Sequence, residues 1–263
     1  MDAGGGDVSA TFAALGEFGD AISFIFSERE LQRGSPVGGS HNLPLLWEHL
    51  KLCAVAMGLA LVIALPIGLM LGHTGKGSFL AISTSNVGRA VPSIALIALF
   101  IAFFPGSPEF LNVTLALALL AIPPILTNAY VGVQQTDRDA VDAARGMGMS
   151  GGQIIRRVEL PLALPLIFGG IKTSTVNVIA TATIAPLVGV VTLGDPLVAF
   201  AVYGREGQIG ASIIVAALAI AAEAGLAAVQ RAVTPAGIKL ERGGAGARPS
   251  RLGTLKRRIQ TVP

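Results

Sequence analysis

Three long runs without a charged residue are the strongest constraint on what this chain can fold into. They cover residues 52–72, 110–136 and 173–194 and are 21, 27 and 22 residues long. An α-helix of about 20 apolar residues crosses the roughly 30 Å hydrocarbon layer of a membrane. The chain is 52% hydrophobic and 13% charged, with a mean hydropathy of +0.68, which is typical of proteins that cross a membrane several times. The sequence therefore predicts an all-α integral membrane protein.

Two further apolar runs, each interrupted by one charge, complete the predicted set of spans. Residues 77–104 contain Arg89, and residues 207–230 contain Glu223. One charge is tolerated in a transmembrane helix when it has a partner or reaches the headgroups. We therefore expect about five transmembrane helices.

Lysine and arginine residues are distributed unevenly over the segments between the spans. The loop at 105–109 has none and the loop at 195–208 has one, whereas residues 137–160 carry four and residues 231–263 carry eight. Cytoplasmic segments of membrane proteins are enriched in these residues, so the latter two segments are predicted to lie in the cytoplasm. The N-terminus is then outside and the C-terminus inside, in a multi-pass protein of the plasma or inner membrane.

These assignments divide the chain into three parts. Residues 1–46 carry six acidic side chains against two arginines and are predicted to be extracytoplasmic, with a helix over about 11–27 that lies on the outer membrane surface. Residues 47–230 form the transmembrane domain. Residues 231–263 form a basic cytoplasmic tail, which we expect to be attracted to lipid headgroups rather than to nucleic acid, because such a tail is an ordinary consequence of this topology.

The charged segment at 137–160, here called the elbow, has the signals of two short helices joined by a glycine. Thr136 and Asp139 have the spacing of a capping box, which predicts the start of the first helix. Gly148 lies where this helix would end in a left-handed turn. On charge alone, the elbow is also compatible with a solvated loop between two membrane helices.

The second elbow helix is predicted from a repeat of the same signals. Ser150 and Gln153 again have capping-box spacing, and Leu160-Pro161 is predicted to close the helix. The glycine pair at 151–152 predicts a helix that is soft at its start, because glycine is a poor helix former.

The sequence contains no pattern typical of an enzyme. His41, His49 and His73 lie near span ends without the cluster of acids or thiols that would complete a metal site, so no metal ligand is predicted. The run GHTGKGS at 72–78 is too short between its glycines for a phosphate-binding loop. Cys53 is the only cysteine, which excludes an internal disulfide. If this protein uses ATP, another polypeptide must bind it.

Uncharged polar side chains within the spans describe a candidate translocation path. A polar wall without charge lets a dipolar or cationic solute pass without trapping it. Hydrogen bonding between helices is the alternative role of each of these side chains. The candidates are Ser93, Asn128, Thr175, Asn177, Thr181 and Thr183.

Two charged residues are predicted to lie at membrane depth: Lys172 directly before the run at 173–194, and Glu223 within the run at 207–230. Lys172 lies about 16 Å along a helix from Pro161, and Glu223 lies about 10 Å from the end of its span. Those depths allow the two side chains to form a pair or to share a network. The alternative is that each side chain reaches the headgroups by itself. A proton-coupling role of Glu223 is less favoured, because no relay of acids or histidines accompanies it.

The elbow resembles the "EAA" loop of importer permeases of the ATP-binding cassette class. In that loop an acid and two alanines are followed by three residues and then a glycine. Nine further residues separate this glycine from an apolar residue, which is followed by one residue and Leu-Pro. The matching residues are Asp142, Ala143, Ala144, Gly148, Val158, Leu160 and Pro161, with Asp in place of the usual Glu. The resemblance implies an ATPase-coupling surface formed by Asp142, Ala143, Ala144, Gly148, Met149, Ser150, Leu160 and Pro161.

A second set of runs is similar to permeases of the osmoprotectant, or quaternary-amine, uptake family. Members of this family import glycine betaine, choline, carnitine or proline betaine. The similarity extends over about 45–240, which is nearly the whole membrane portion. The runs that carry it are at 86–100, 121–133, 160–189 and 193–196.

This family resemblance implies a division of labour between several proteins. An extracytoplasmic solute-binding protein captures the solute, two permease subunits, identical or homologous, form the pathway, and two ATPase subunits bind ATP and Mg²⁺ and drive transport. This chain would then be a permease without a cofactor or an ATPase site of its own. A permease for an amino acid or an ergothioneine-like solute is the alternative within the class. An ion-coupled secondary transporter or channel is the alternative from a different class.

Overall fold

The structure is a computed structural model that describes residues 5–30, 36–77, 83 and 91–234, and it is mostly helical. The elements are α1 (Gly5–Phe26), β1 (Glu28–Glu30), β2 (Pro36–Gly38), α2 (Asn42–Thr74), α3 (Ser93–Phe103), α4 (Glu109–Gln134), α5 (Arg138–Gly146), α6 (Gly151–Ile154), α7 (Leu160–Ala182), α8 (Asp195–Val198) and α9 (Phe200–Val233). Strands β1 and β2 form a hairpin, 3₁₀ turns lie at Gly39–His41 and Ala185–Val188, and a five-residue π-helical turn joins α6 to α7.

The predicted transmembrane architecture is confirmed, with differences in the bounds. Within the described residues, four helical stretches are long and apolar enough to cross a membrane. They are Gly39–Thr74, Glu109–Gln134, Gly151–Ala182 and Phe200–Val233. Of the predicted span at 77–104, the structure describes the 11-residue apolar helix α3. Arg89 lies outside the described residues.

The predicted span at 173–194 is wrong in its bounds. The helix runs from Gly151 to Ala182 and therefore includes three charged residues at 156, 157 and 159 that the charge pattern had assigned to a loop. Residues 183–194 form turns instead, including a 3₁₀ turn at Ala185–Val188 that ends at Gly189 with a φ of +87°. A hydropathy window does not distinguish an apolar helix from apolar turns, and this explains the error.

Helix α4 occupies the centre of the fold and packs against both α2 and α7. In its most apolar stretch 56% of the residues are buried, against 6% in α9. Two buried hydrogen bonds join α7 to its neighbours: Ser174 Oγ donates to the Ala121 carbonyl of α4 at 2.8 Å, and His49 Nε2 of α2 lies 3.2 Å from the Ile179 carbonyl. Such bonds satisfy polar groups that water cannot reach inside a membrane. Helix α9 has few fully buried residues in its most apolar stretch, so part of its apolar surface is left open by the described residues.

The N-terminal helix α1 packs on the first turns of α9. Phe24 is buried there with its ring edge against Tyr203, the centroids being 6.4 Å apart, and Glu17 pairs with Arg205 at 3.1 Å. The opposite face of α1 exposes three large apolar side chains at helical spacing, those of residues 18, 22 and 26. The predicted helix over 11–27 is therefore present and longer than expected, while its position on the membrane surface stays a prediction.

Candidate functional site

The elbow begins with α5, whose N-cap is Asp137. The Asp137 carboxylate accepts a hydrogen bond from the Asp139 backbone N–H at 2.9 Å. The predicted capping box of Thr136 and Asp139 is wrong, since Thr136 Oγ1 donates backwards to the Gly132 carbonyl at 3.3 Å. Aspartate is a stronger N-cap than threonine, so the helix begins one residue later than the spacing indicated.

The end of α5 follows the sequence prediction closely. Gly148 has a φ of +82°, and its N–H donates to the Arg145 carbonyl at 2.9 Å. The Met149 N–H donates to the Ala144 carbonyl at 3.2 Å. This pair of bonds is a Schellman motif, which satisfies carbonyls left free at the helix end and reverses the chain direction. The predicted left-handed turn at Gly148 is confirmed.

The predicted coupling surface has one buried residue in α5 and exposed residues around it. Ala144 lies on the buried face of α5, while the Asp142 side chain is 70% exposed, as is the neighbouring Met147 at 72%. Asp142 makes a loose contact of 3.5 Å with Arg145, one turn further along. Exposed i,i+3 pairs of this kind contribute little to stability. The surface is therefore well ordered by its backbone and free to contact another protein.

The second elbow helix starts as predicted and ends differently. Ser150 and Gln153 form a capping box in which both reciprocal hydrogen bonds are present. Leu160-Pro161 does not close the helix, because α6 continues through the π-helical turn Ile155–Glu159 directly into α7. A proline ring normally clashes with the carbonyl of the preceding helical turn, and a wide turn placed just before Pro161 accommodates it. The elbow is therefore continuous with a membrane-spanning helix.

The π-helical turn places Glu159 against the last turn of α2. Both Glu159 carboxylate oxygens lie 2.9 Å from His73 Nδ1, and the two side chains are 5% and 18% exposed. The other ring nitrogen faces Gly151, where an added Cβ would lie 3.2 Å from His73 Nε2. This contact was missed by sequence reasoning, which treated the histidine as isolated. Gly151 leaves room for the ring, but a glycine by itself does not indicate which distant side chain lies against it.

A polar cleft of about 360 Å³ opens beside this contact. It lies between the ends of α2 and α4 and the start of the elbow, and Arg138, Asp142 and Glu159 are among its lining residues. Gln134 Nε2 donates to the Gly72 carbonyl at 2.6 Å and closes one wall. No group of three His, Cys, Asp or Glu side chains that could hold a metal occurs within residues 5–30, 36–77, 83 and 91–234.

The candidate path residues lie on α3, α4 and α7, with Thr183 directly after the end of α7. Asn128, Thr175 and Thr183 each donate to a carbonyl three or four residues earlier in their own helix region. Such bonds satisfy the side chains locally, so these three do not join helices in the way the alternative role requires. Ser93 begins α3, Asn177 is exposed, and Thr181 is half-buried. The path itself stays a prediction.

Lys172 and Glu223 lie on two helices that pack together. Gln230 Nε2 of α9 lies 3.5 Å from the Pro165 carbonyl of α7. Lys172 lies seven residues after Pro165 in α7, and Glu223 lies seven residues before Gln230 in α9. Because α7 and α9 are successive spans, these two steps lead in the same direction from that contact. Lys172 is half-buried and Glu223 is exposed, and no ion pair within 4.0 Å joins these two described residues. The two residues lie at a similar depth but are not in contact, so the pair stays a prediction.

The loop before α8 is a second feature that is ordered by hydrogen bonds, and it lies at the end of the fold opposite the elbow. Thr192 is fully buried; its hydroxyl donates to the Ala182 carbonyl at 3.1 Å and accepts from the Gly194 N–H at 3.0 Å. Asp195 accepts from the Thr192 N–H at 2.9 Å. Burial raises the pKa of the Asp195 carboxyl, while this hydrogen bond opposes the shift. The loop thus caps the end of α7.

Apolar helices of spanning length, joined by a capped and exposed elbow, define a polytopic membrane protein built to contact a partner. A sequence model of the family "Binding-protein-dependent transport system inner membrane component" matches residues 64–235. The chain belongs to this family of importer permeases. This confirms the class indicated by the elbow motif.

Relatives with assigned functions extend the comparison. The chain is 35% identical to the glycine betaine/carnitine/choline transport system permease protein OpuCB of Bacillus subtilis, over 73% of this chain and 88% of that protein. It is 34% identical to the choline transport system permease protein OpuBB of the same organism, over 76% and 92%. It is 34% identical to the carnitine transport permease protein OpuCB of Listeria monocytogenes, over 86% and 99%. The resemblance to osmoprotectant permeases is confirmed.

A solved structure shows the same fold at lower identity. An inward-facing form of the MetNI methionine ABC transporter matches with a TM-score of 0.65 and 22% identity, covering 74% of this chain and 96% of that one. This similarity supports the fold alone.

Proposed function

We propose that this chain is the permease subunit of an ATP-driven importer of quaternary-ammonium osmoprotectants such as glycine betaine, choline or carnitine. The observation that carries the proposal is the elbow, whose Schellman turn and capping box hold an exposed surface beside the membrane helices. The solute class is inferred from relatives at 34–35% identity that are named for these compounds.

In this proposal the exposed part of the elbow is the contact for an ATPase subunit. The surface consists of the exposed Asp142, Ala143, Gly148 and Ser150 and the half-buried Met149, and the buried Ala144 anchors it. Leu160 and Pro161 act differently from the rest, because they lie at the start of α7 and connect the elbow to the membrane. ATP and Mg²⁺ are bound by the ATPase, and this chain contributes no catalytic residue.

Each remaining partner is assigned to a surface of the chain and to a side of the membrane. A second permease subunit, identical or homologous, covers part of the apolar surface that α9 leaves open, and lipid covers the rest. With the elbow and C-terminus in the cytoplasm and the N-terminus outside, the loop around Thr192 and the helix α1 face the extracytoplasmic solute-binding protein.

Selection of the solute is assigned to that binding protein. A quaternary ammonium is commonly held by several aromatic faces through cation–π attraction. The chain has one Trp and two Tyr. Trp47 is exposed, while Tyr130 is buried and Tyr203 packs on Phe24. These rings are not grouped into a cage, so the permease is expected to be permissive.

The proposal is tested by isolating the tagged chain from its native membranes and identifying what copurifies. We expect an ATPase subunit in stoichiometric amount, and we expect a variant with Asp142→Lys and Ala143→Glu to lose it while still inserting. His41→Leu, an exposed change in a 3₁₀ turn remote from the elbow in sequence, is the control. Copurification of no ATPase, or equal recovery with the elbow variant, would contradict the proposed contact.

A further inference from the structure

The contact between His73 and Glu159 joins two parts of the chain that are 86 residues apart. A carboxylate that is 5% exposed requires a hydrogen-bonding partner, because an unpaired buried charge is costly. His73 Nδ1 donates to both carboxylate oxygens at 2.9 Å. The ring therefore satisfies Glu159, and removing either partner leaves the other exposed to that cost.

The position of this contact is more informative than its strength. His73 lies in the last turn of α2, and Glu159 ends the π-helical turn that joins the elbow to α7. Gly151, at the start of α6, approaches the opposite side of the imidazole ring. The ring is thus held between the two ends of the second elbow helix. A displacement of that helix must move His73 and with it the end of α2.

We propose that His73 and Glu159 are positioning residues that transmit movement of the elbow to α2, so that hydrolysis in the ATPase is converted into movement of the membrane helices. This inference rests on the proposed function, since it presupposes that the elbow contacts an ATPase. It adds a second connection to the covalent one, because the elbow already continues directly into α7. Two helices, rather than one, then follow the elbow.

A purely structural contact makes a different prediction. An anchor that only stabilises the fold lowers the thermal stability of the complex, and the surviving complexes transport normally for each ATP hydrolysed. A positioning contact changes the ratio of solute imported to ATP hydrolysed in complexes that are fully assembled. The ratio is therefore the deciding measurement, and thermal stability is recorded beside it.

The experiment uses the complete complex in proteoliposomes with its solute-binding protein and radiolabelled glycine betaine. His73→Leu is expected to lower the ratio of imported solute to hydrolysed ATP at least about threefold. His73→Gln keeps a donor for Glu159 and is expected to retain more than half of the wild-type ratio. The control is His41→Leu, which removes an exposed His–Glu contact of 3.9 Å just before the other end of α2 and is expected to leave the ratio unchanged.

A wild-type ratio in His73→Leu would overturn the inference. If that variant does not assemble, Glu159→Met decides, because it keeps roughly the length of the side chain but removes both acceptor oxygens and leaves no buried charge. A reduced ratio in Glu159→Met supports the positioning role, and an unchanged ratio contradicts it. A wild-type complex that imports no solute and hydrolyses no ATP in response to it would instead contradict the proposed function, together with this extension of it.

Discussion

Gly148 determines the direction of the elbow through its backbone alone. An ideal Cβ at this position would meet no atom within 4 Å, so a side chain is excluded by conformation rather than by space. Residues with a Cβ adopt a left-handed conformation at a cost of about 1–2 kcal/mol. Gly146, two residues earlier, also has open space, but it lies within α5 and has no positive φ. The two glycines thus differ mainly in backbone conformation.

Alanine substitutions at these two glycines are expected to act in opposite directions. Gly148→Ala should destabilise the elbow by about 1 kcal/mol, because alanine is strained at a positive φ. Gly146→Ala should stabilise it by about 0.5–1 kcal/mol, because alanine is the better helix former. Protection of the α5 amides from hydrogen exchange measures both effects. Equal changes in the two variants would show that the left-handed turn is unimportant.

Thr192 offers a second test at the residue scale. Thr192→Val keeps the shape of the side chain but leaves the Ala182 carbonyl and the Gly194 N–H without their buried partner. Each unsatisfied buried group costs about 1–3 kcal/mol, so the purified complex should unfold at a clearly lower temperature. Thr192→Ser keeps the hydroxyl and is expected to lose less. If serine is as harmful as valine, the methyl group rather than the hydrogen bonds stabilises this loop.

At the scale of elements, two of the three local signals in the elbow predicted the structure correctly, and the capping box at Thr136 and Asp139 did not. The turn at Gly148 and the capping box at Ser150 follow from short-range hydrogen bonding and could be predicted from spacing. The start of α7 could not, because a π-helical turn continues the helix up to Pro161, where the proline predicted an end. The contact with His73 spans 86 residues, and no local pattern reports such a distance.

The prediction on membrane charges concerns Lys172 in α7 and Glu223 in α9. If Lys172 and Glu223 interact, Lys172→Met or Glu223→Gln alone should reduce the stability or yield of the complex, since each leaves one charge without its counterpart. The double variant should then restore part of the loss. A double-mutant cycle on the thermal stability of the detergent-purified complex measures this coupling. A coupling energy of zero would leave two independent charges that reach the headgroups separately.

At the scale of the whole molecule, the orientation stays a prediction from charge asymmetry, which puts residues 105–109 outside the cell and the elbow in the cytoplasm. Single cysteines at Glu109 and Met147, both exposed, report the two ends of this arrangement in a Cys53→Ala background. An impermeant thiol reagent added to intact cells should label position 109 and not position 147. Labelling should reach both positions after the membranes are opened. The reverse pattern in intact cells would invert the orientation.

The packing of the four long helices leaves a surface for the proposed second permease subunit. Helix α4 is surrounded by its own chain, whereas α9 has only 6% of its most apolar stretch buried. A permease whose pathway lies between two subunits requires such an open surface. Composition and apolar runs predict the number of spans. Which helix remains uncovered depends on how the helices pack against one another.

The central claim is tested most directly by ATP-dependent uptake of radiolabelled glycine betaine. The chain, copurified with its native ATPase and supplied with its solute-binding protein, is reconstituted into proteoliposomes with ATP on the side of the elbow. We predict uptake that requires ATP hydrolysis, is inhibited by unlabelled choline or carnitine, and is unaffected by methionine. Uptake driven by an ion gradient without ATP, or inhibition by methionine but not by quaternary amines, would contradict the account.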